Sequence, residues 1–229
     1  MKDFFNLDSP VMRFLSKMAD LMIVNILVLF TCLPVITVGA SLTALHYVVI
    51  KMVRNEETYI AKMYFKSFKE NFIQATIEWL IMLAVIVVFV ADYYIFFRST
   101  AEINSAIVIG VFFVTIIFVM TGMYVFPMQA RFVNTVRGTI KNAFLIMVLN
   151  FPKSIAMLIV YAIPPVLFLI SGFAVPFLIM FGASAPALAA AYLYRKVFSR
   201  FEPEEEELTS DMNFSVVVDE EDESETVEE

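Results

Sequence analysis

The chain has 229 residues, 60% of them hydrophobic, including 24 Phe and 14 Met, with a mean hydropathy of +0.80. Soluble domains are ~45–50% apolar, so this composition excludes an ordinary soluble enzyme or nucleic-acid-binding protein. The formal net charge of −7 averages two unlike pieces: residues 1–200 carry all 16 basic residues and 9 acidic ones, while residues 201–229 carry 14 acids and no base.

Residues 1–9 are a short lead. Asp8-Ser9-Pro10 sets capping residues before a proline at the first helical position. Leu7, Val11, Phe14, Leu15 and Met18 recur at helical spacing, which predicts an amphipathic helix at the inner interface, with Arg13 and Lys17 snorkelling. Lys2, Arg13 and Lys17 followed by an apolar run also suggest a signal peptide. The uncharged run Leu21–Ile50 is too long for one and further spans follow, so an uncleaved first membrane segment is expected.

That run of 30 residues would make a helix of about 45 Å, too long for one comfortable span and short for two. Pro34 and Gly39 mark a break within it. Two short helices are predicted, from about residue 19 to 33 and from about 41 to 53, forming a broken hairpin or a re-entrant pair. The connection must pack on protein or reach the far interface, because exposed irregular backbone is not viable in lipid.

Lys51 to Ala75 is polar and basic, with Tyr64, Phe65, Phe68 and Phe72 on one helical face, and reads as an interfacial amphipathic helix. Spans follow at 76–97 and 105–126, joined by Arg98–Asn104. A second polar stretch, 127–153, precedes an uncharged run of 41 residues from Ser154 to Tyr194. A bilayer core of ~30 Å needs about 20 such residues per helix, so this run holds two spans with a turn near Ser171-Gly172. Pro164-Pro165, Pro176, Gly182 and Pro186 predict kinks or breaks there.

The positive-inside rule orients these segments. With the first segment as a hairpin, 15 of the 16 basic residues fall on one side, and only Arg98 lies on the other. Both termini are then cytoplasmic, and six crossings result if both hairpin helices count. The expected architecture is all-α: a polytopic bundle of five to six membrane helices over residues 1–200, cytoplasmic amphipathic helices, and a disordered acidic cytoplasmic tail at 201–229.

Polar groups inside the spans are few. Asn25 and His46 sit in the two hairpin helices and are candidate helix–helix hydrogen-bonders or ligand contacts. Asp92 is placed to bind a cation, accept a proton or pair with Arg98, or to stand as an interfacial acid beside aromatic residues. Glu78, at the inner end of the same segment, is expected to snorkel. One histidine and one cysteine, Cys32, give no zinc spacing. No nucleophile constellation, phosphate loop or dinucleotide glycine cluster is present, so neither enzyme activity, cofactor nor metal is expected. The stretch Gly39-Ala40-Ser41-x-x-Ala44-Leu45 echoes Gly182-Ala183-Ser184-x-x-Ala187-Leu188. Both are small-residue motifs suited to close helix approach, the pattern of repeat-built transporters or a chance likeness of Ala-rich helices.

Several blocks resemble one family. Leu33 to Leu45 (LPVITVGASLTAL), Phe65 to Phe72 (FKSFKENF), Phe126 to Phe132 (FPMQARF) and Thr139 to Phe144 (TIKNAF) are similar to the YesL-like bacterial membrane proteins. The resemblance spans roughly residues 1–200, and the acidic tail departs from it. The family is one of unknown function, so no site residues carry over. Its members often occur beside sugar-uptake and two-component genes, which implies a non-enzymatic accessory role in carbohydrate uptake or its sensing. The resemblance implies a sugar-uptake transporter or a sensor kinase as partner; the residues themselves point to the lipid bilayer and, through the apolar island Phe214 to Val218 within the acidic tail, to a cytosolic protein; nucleic acid is not among them. The alternative is a small transporter or channel with a path lined by the Pro34–Gly39 and Gly182–Pro186 breaks and by Asn25, His46 and Asp92.

Overall fold

The computed structural model describes residues 10–56, 59–98 and 104–199. It is all-helical over these residues: α1 (Pro10–Thr31), α2 (Val38–Arg54), α3 (Ile60–Arg98), α4 (Ser105–Arg131), α5 (Val136–Leu149), α6 (Phe151–Ile170), α7 (Val175–Phe181) and α8 (Ser184–Phe198). Single 3-10 turns, Val35–Thr37 and Gly172–Ala174, precede α2 and α7. Met1–Tyr194 form one compact unit and Arg195–Glu229 a second, of which only the last turn of α8 and Ser199 are described. The lead Asp8-Ser9 and the acidic tail at 201–229 lie outside the described residues.

Five helices are long and apolar enough to cross a membrane, and the Gly172–Phe181 and Ser184–Phe198 pair, bent by 59°, makes a sixth candidate. Val87, Val90, Ile95, Phe113 and Phe168 are each more than half exposed on α3, α4 and α6. Soluble monomers rarely expose apolar surface on this scale, whereas hydrocarbon solvates it without cost.

The first apolar segment breaks at Pro34. α1 ends at Thr31, Pro34 is extended (φ −76°, ψ 119°), and α2 begins at Val38. Three of its carbonyls are engaged by side chains. Thr37 Oγ1 donates to the Thr31 carbonyl at 2.6 Å and the Pro34 carbonyl at 2.7 Å. The indole Nε1 of Trp79, from α3, donates to the Val35 carbonyl at 2.7 Å. Irregular backbone beside an apolar medium is thereby satisfied by protein rather than by water. Gly39 is not in this break, as the sequence suggested, but in the first turn of α2. There it lets α2 approach α3: a Cβ on Gly39 would collide with the Ala75 carbonyl and lie 2.6 Å from Trp79 Cβ. α2 ends on Asn55, whose left-handed backbone (φ 55°) returns its N–H to the last turn, a conformation that Asn tolerates. Lys17 of α1 donates to Asn55 Oδ1 at 2.8 Å, joining the open ends of the hairpin.

α3 corrects the sequence reading. The amphipathic stretch and the following span are one unbroken helix of 39 residues, about 58 Å long at 1.5 Å per residue. Lys62, Lys66, Lys69 and Glu70 are exposed on its first half, and Tyr64, Phe65, Phe68 and Phe72 form a run of ring contacts. From Gln74 onward it packs antiparallel on α4, as the pairs Tyr93–Thr115, Phe89–Phe118, Trp79–Phe126 and Gln74–Gln129 show. Asn104 caps α4 by accepting from the Ala106 N–H at 2.9 Å, and Thr135 caps α5 by accepting from the Gly138 N–H, as short polar side chains do at helix N-termini.

α6 continues through Pro164-Pro165 to Ile170. The break falls later, at Gly182-Ala183 between α7 and α8, and Pro186 lies within the first turn of α8, where a missing N–H costs nothing.

Candidate functional site

Three of the buried polar clusters in the largely apolar interior bear on the candidate residues. The first is built on Asn25, fully buried on α1. Its Oδ1 accepts from the Ala183 N–H at 2.8 Å and the Ser184 N–H at 2.9 Å; its Nδ2 donates to the Ile179 carbonyl at 2.7 Å and the Leu178 carbonyl at 3.5 Å. Helix ends leave backbone groups unpaired, and here two ends meet. One amide supplies an acceptor to the start of α8 and a donor to the end of α7. Asn is the side chain that can do both at once. Gly182 completes the arrangement, since a Cβ there would collide with the Leu178 carbonyl.

The second cluster centres on His46. Its Nδ1 is 3.2 Å from the Tyr194 hydroxyl and its Nε2 is 3.5 Å from the Tyr161 hydroxyl. Whichever tautomer is present, each ring nitrogen faces a phenol able to donate or accept. His46 and Tyr161 also line a cavity of about 490 Å³ whose walls include Met82, Phe89, Phe118 and Phe126. A second cavity, about 550 Å³, lies at the second break and is lined wholly by apolar residues, among them Pro164, Phe177, Gly182 and Pro186. The two cavities share no lining residue.

The third cluster was not legible as a site. Glu78 does not snorkel but is completely buried. Gln74 Nε2, one turn earlier, is 3.3 Å from Glu78 Oε1, 2.8 Å from Gln129 Oε1 and 2.7 Å from the Asn134 carbonyl. Gln129 donates in turn to Asn71 Oδ1 at 3.1 Å, and Thr139 Oγ1 is 3.3 Å from Gln129 Oε1. The only signal in the sequence was spacing: Asn71, Gln74 and Glu78 recur on one face of α3.

Asp92 joins none of these. It is half-buried and makes no hydrogen bond or ion pair among the described residues; Arg98 lies instead over the Tyr94 ring, 5.7 Å from its centroid. Pro34 lies near a hydroxyl group network in which Thr31 Oγ1 meets the Tyr64 hydroxyl at 2.6 Å and Ser41 Oγ at 2.9 Å. No group of three or more His, Cys, Asp or Glu side chains gathers among the described residues. Outside the spans, Lys51 pairs with Glu56 and holds its carboxyl below the usual carboxylate range.

These features define a multi-pass helical integral membrane protein. Residues 21–93, about a third of the chain, match the family described as "Protein of unknown function, DUF624". No curated protein and no solved structure matches the chain.

Proposed function

We propose that the protein is a non-enzymatic membrane accessory, YesL-like in kind, that works with a carbohydrate-uptake transporter or the sensor kinase controlling it. The observation that carries this reading is the use of Asn25. A transport path through the second break needs polar groups free to meet a solute, and Asn25 spends its oxygen and nitrogen on the helix ends themselves. The cavity beside that break offers a solute only apolar wall. The exposed lysines and aromatic run on the first half of α3 supply a surface for a protein partner at the cytoplasmic interface, and the link to carbohydrate rests on the resemblance.

Tagged protein purified from its own host is expected to bring down a sugar transporter or a sensor kinase in stoichiometric amount. Recovery of the chain alone, together with solute flux in proteoliposomes, would overturn the proposal in favour of a transporter. Deleting residues 201–229 separates a tail-mediated contact from one made by the helical body.

The proposed orientation puts both termini and the first half of α3 in the cytoplasm. Single cysteines replacing Lys62 and Arg98, in a Cys32→Ser background, are expected to react with an impermeant maleimide from opposite sides of sealed vesicles. Labelling of both from one side would sink this topology.

A further inference from the structure

Glu78 lies at the junction of α3, α4 and the start of α5 with 0% of its surface exposed. Its Oε1 has one long contact, 3.3 Å to Gln74 Nε2, its Oε2 has no well-formed hydrogen bond, and the Thr139 side chain also lies beside the carboxyl. It forms no ion pair among the described residues. A buried carboxylate without a counter-charge is costly, and a neutral carboxyl would need an acceptor for its O–H, for which the Thr139 hydroxyl is the side chain at hand.

The surroundings supply oxygen, not positive charge. Glu78 Oε1, Gln129 Oε1 and the Asn134 carbonyl all converge on the point held by Gln74 Nε2, at 3.3, 2.8 and 2.7 Å. An amide nitrogen has two hydrogens, so three acceptors compete for two donors. Rotation of the Gln74 amide exchanges its nitrogen for its own oxygen, turning the cluster into inward-facing oxygens around a single carboxylate. Hard cations take oxygen ligands, and one carboxylate among neutral oxygens balances one positive charge. Divalent ions are matched by more than one carboxylate in most such sites, and none beside Glu78 is present in this cluster.

We propose that Glu78, Gln74, Gln129 and the Asn134 carbonyl form a binding site for a small monovalent cation, sodium or potassium, with Thr139 supporting Gln129. The ion would tie α3 to α4 and to the segment leading into α5. This site does not depend on the accessory role proposed above.

The full chain, purified in detergent in choline chloride, is titrated with NaCl or KCl at constant ionic strength while its thermal midpoint is followed. A saturating rise of about 5 °C at a hundredfold excess over Kd is expected with at least one of the two ions. Glu78→Gln keeps the shape and removes the charge, so its midpoint is expected to be insensitive to both ions. Equal midpoints of the wild type in all three salts overturn the proposal, as does an undiminished response in Glu78→Gln. Stabilisation by acid alone overturns it in favour of a protonated carboxyl. Should Glu78→Gln fail to fold, radioactive sodium and rubidium (the latter standing in for potassium) decide on the wild type: saturable binding of one ion per chain supports the site, and none of either overturns it.

Discussion

Asn25→Leu is expected to lower the stability of the folded chain by about 3–6 kcal/mol. The substitution leaves the Ala183 and Ser184 N–H groups and the Ile179 carbonyl without partners. Each buried polar group so orphaned costs roughly 1–3 kcal/mol. No water reaches the site to take over, because Asn25 is fully buried and the neighbouring cavity is apolar. Against a total stability on the order of 5–15 kcal/mol, the variant should show a large loss of monodisperse protein in size-exclusion chromatography and a collapsed thermal midpoint. Asn25→Asp separates the two halves of the cap. It keeps the acceptor for two N–H groups at the start of α8 but, as a carboxylate, faces the Leu178 and Ile179 carbonyls in a buried site, so its midpoint should be higher in mild acid, where a protonated carboxyl can donate to them, than at neutral pH. A wild-type midpoint in Asn25→Leu would mean that the break is not held from α1.

Gly39→Leu is the second large effect. A Cβ at this position collides with the Ala75 carbonyl, which is backbone and cannot rotate away, and with Trp79 Cβ at 2.6 Å. Overpacking of this kind costs about 1–3 kcal/mol and sometimes more, and Leu at Gly39 should reach or exceed the upper figure. It should also break the Trp79–Val35 hydrogen bond that stabilises the Pro34 turn. Trp79 is the only tryptophan, so a shift in its emission reports the separation directly. Gly110→Ala is the control: nothing lies within 4 Å of a Cβ there, so it should leave the midpoint unchanged or raised, as Ala for Gly in a helix usually gains about 0.5–1 kcal/mol. If the two glycines respond alike, close approach of α2 and α3 is not what Gly39 provides.

Much of the fold could be read from charge. The uncharged runs ending at Ile50 and Tyr194 delimited the two broken segments because lipid-solvated helices exclude ionised side chains along their whole length. The continuity of α3 was not readable. Its two halves differ in composition, and a change of solvent resembles a change of element, yet neither Gly nor Pro interrupts residues 60–98, so nothing breaks the helix. Asn25 and His46 announced themselves as polar groups in apolar runs. Their partners, Ser184 and Tyr194, lie about 150 residues away in sequence and follow from packing alone. The echoed motifs at Gly39 and Gly182 looked like one device used twice. They serve different ends: the first admits a neighbouring helix, the second forms the bend that Asn25 closes. Glu78 was misread because an acid near a helix end ordinarily turns to water, and only the convergence of α4 and Thr139 on that face removes the water.

The unbroken α3 has a mechanical consequence. Its contact with α2 at Ala75 divides it into an arm of about 35 Å toward Arg98 and one of about 22 Å toward Ile60. The short arm is clamped twice, by the close fit at Gly39 and by Tyr64, whose hydroxyl lies 2.6 Å from Thr31 Oγ1 on α1. A tilt imposed on the long arm, by a change in bilayer thickness or by a neighbouring chain, would therefore carry the first hairpin with it, with no change of secondary structure.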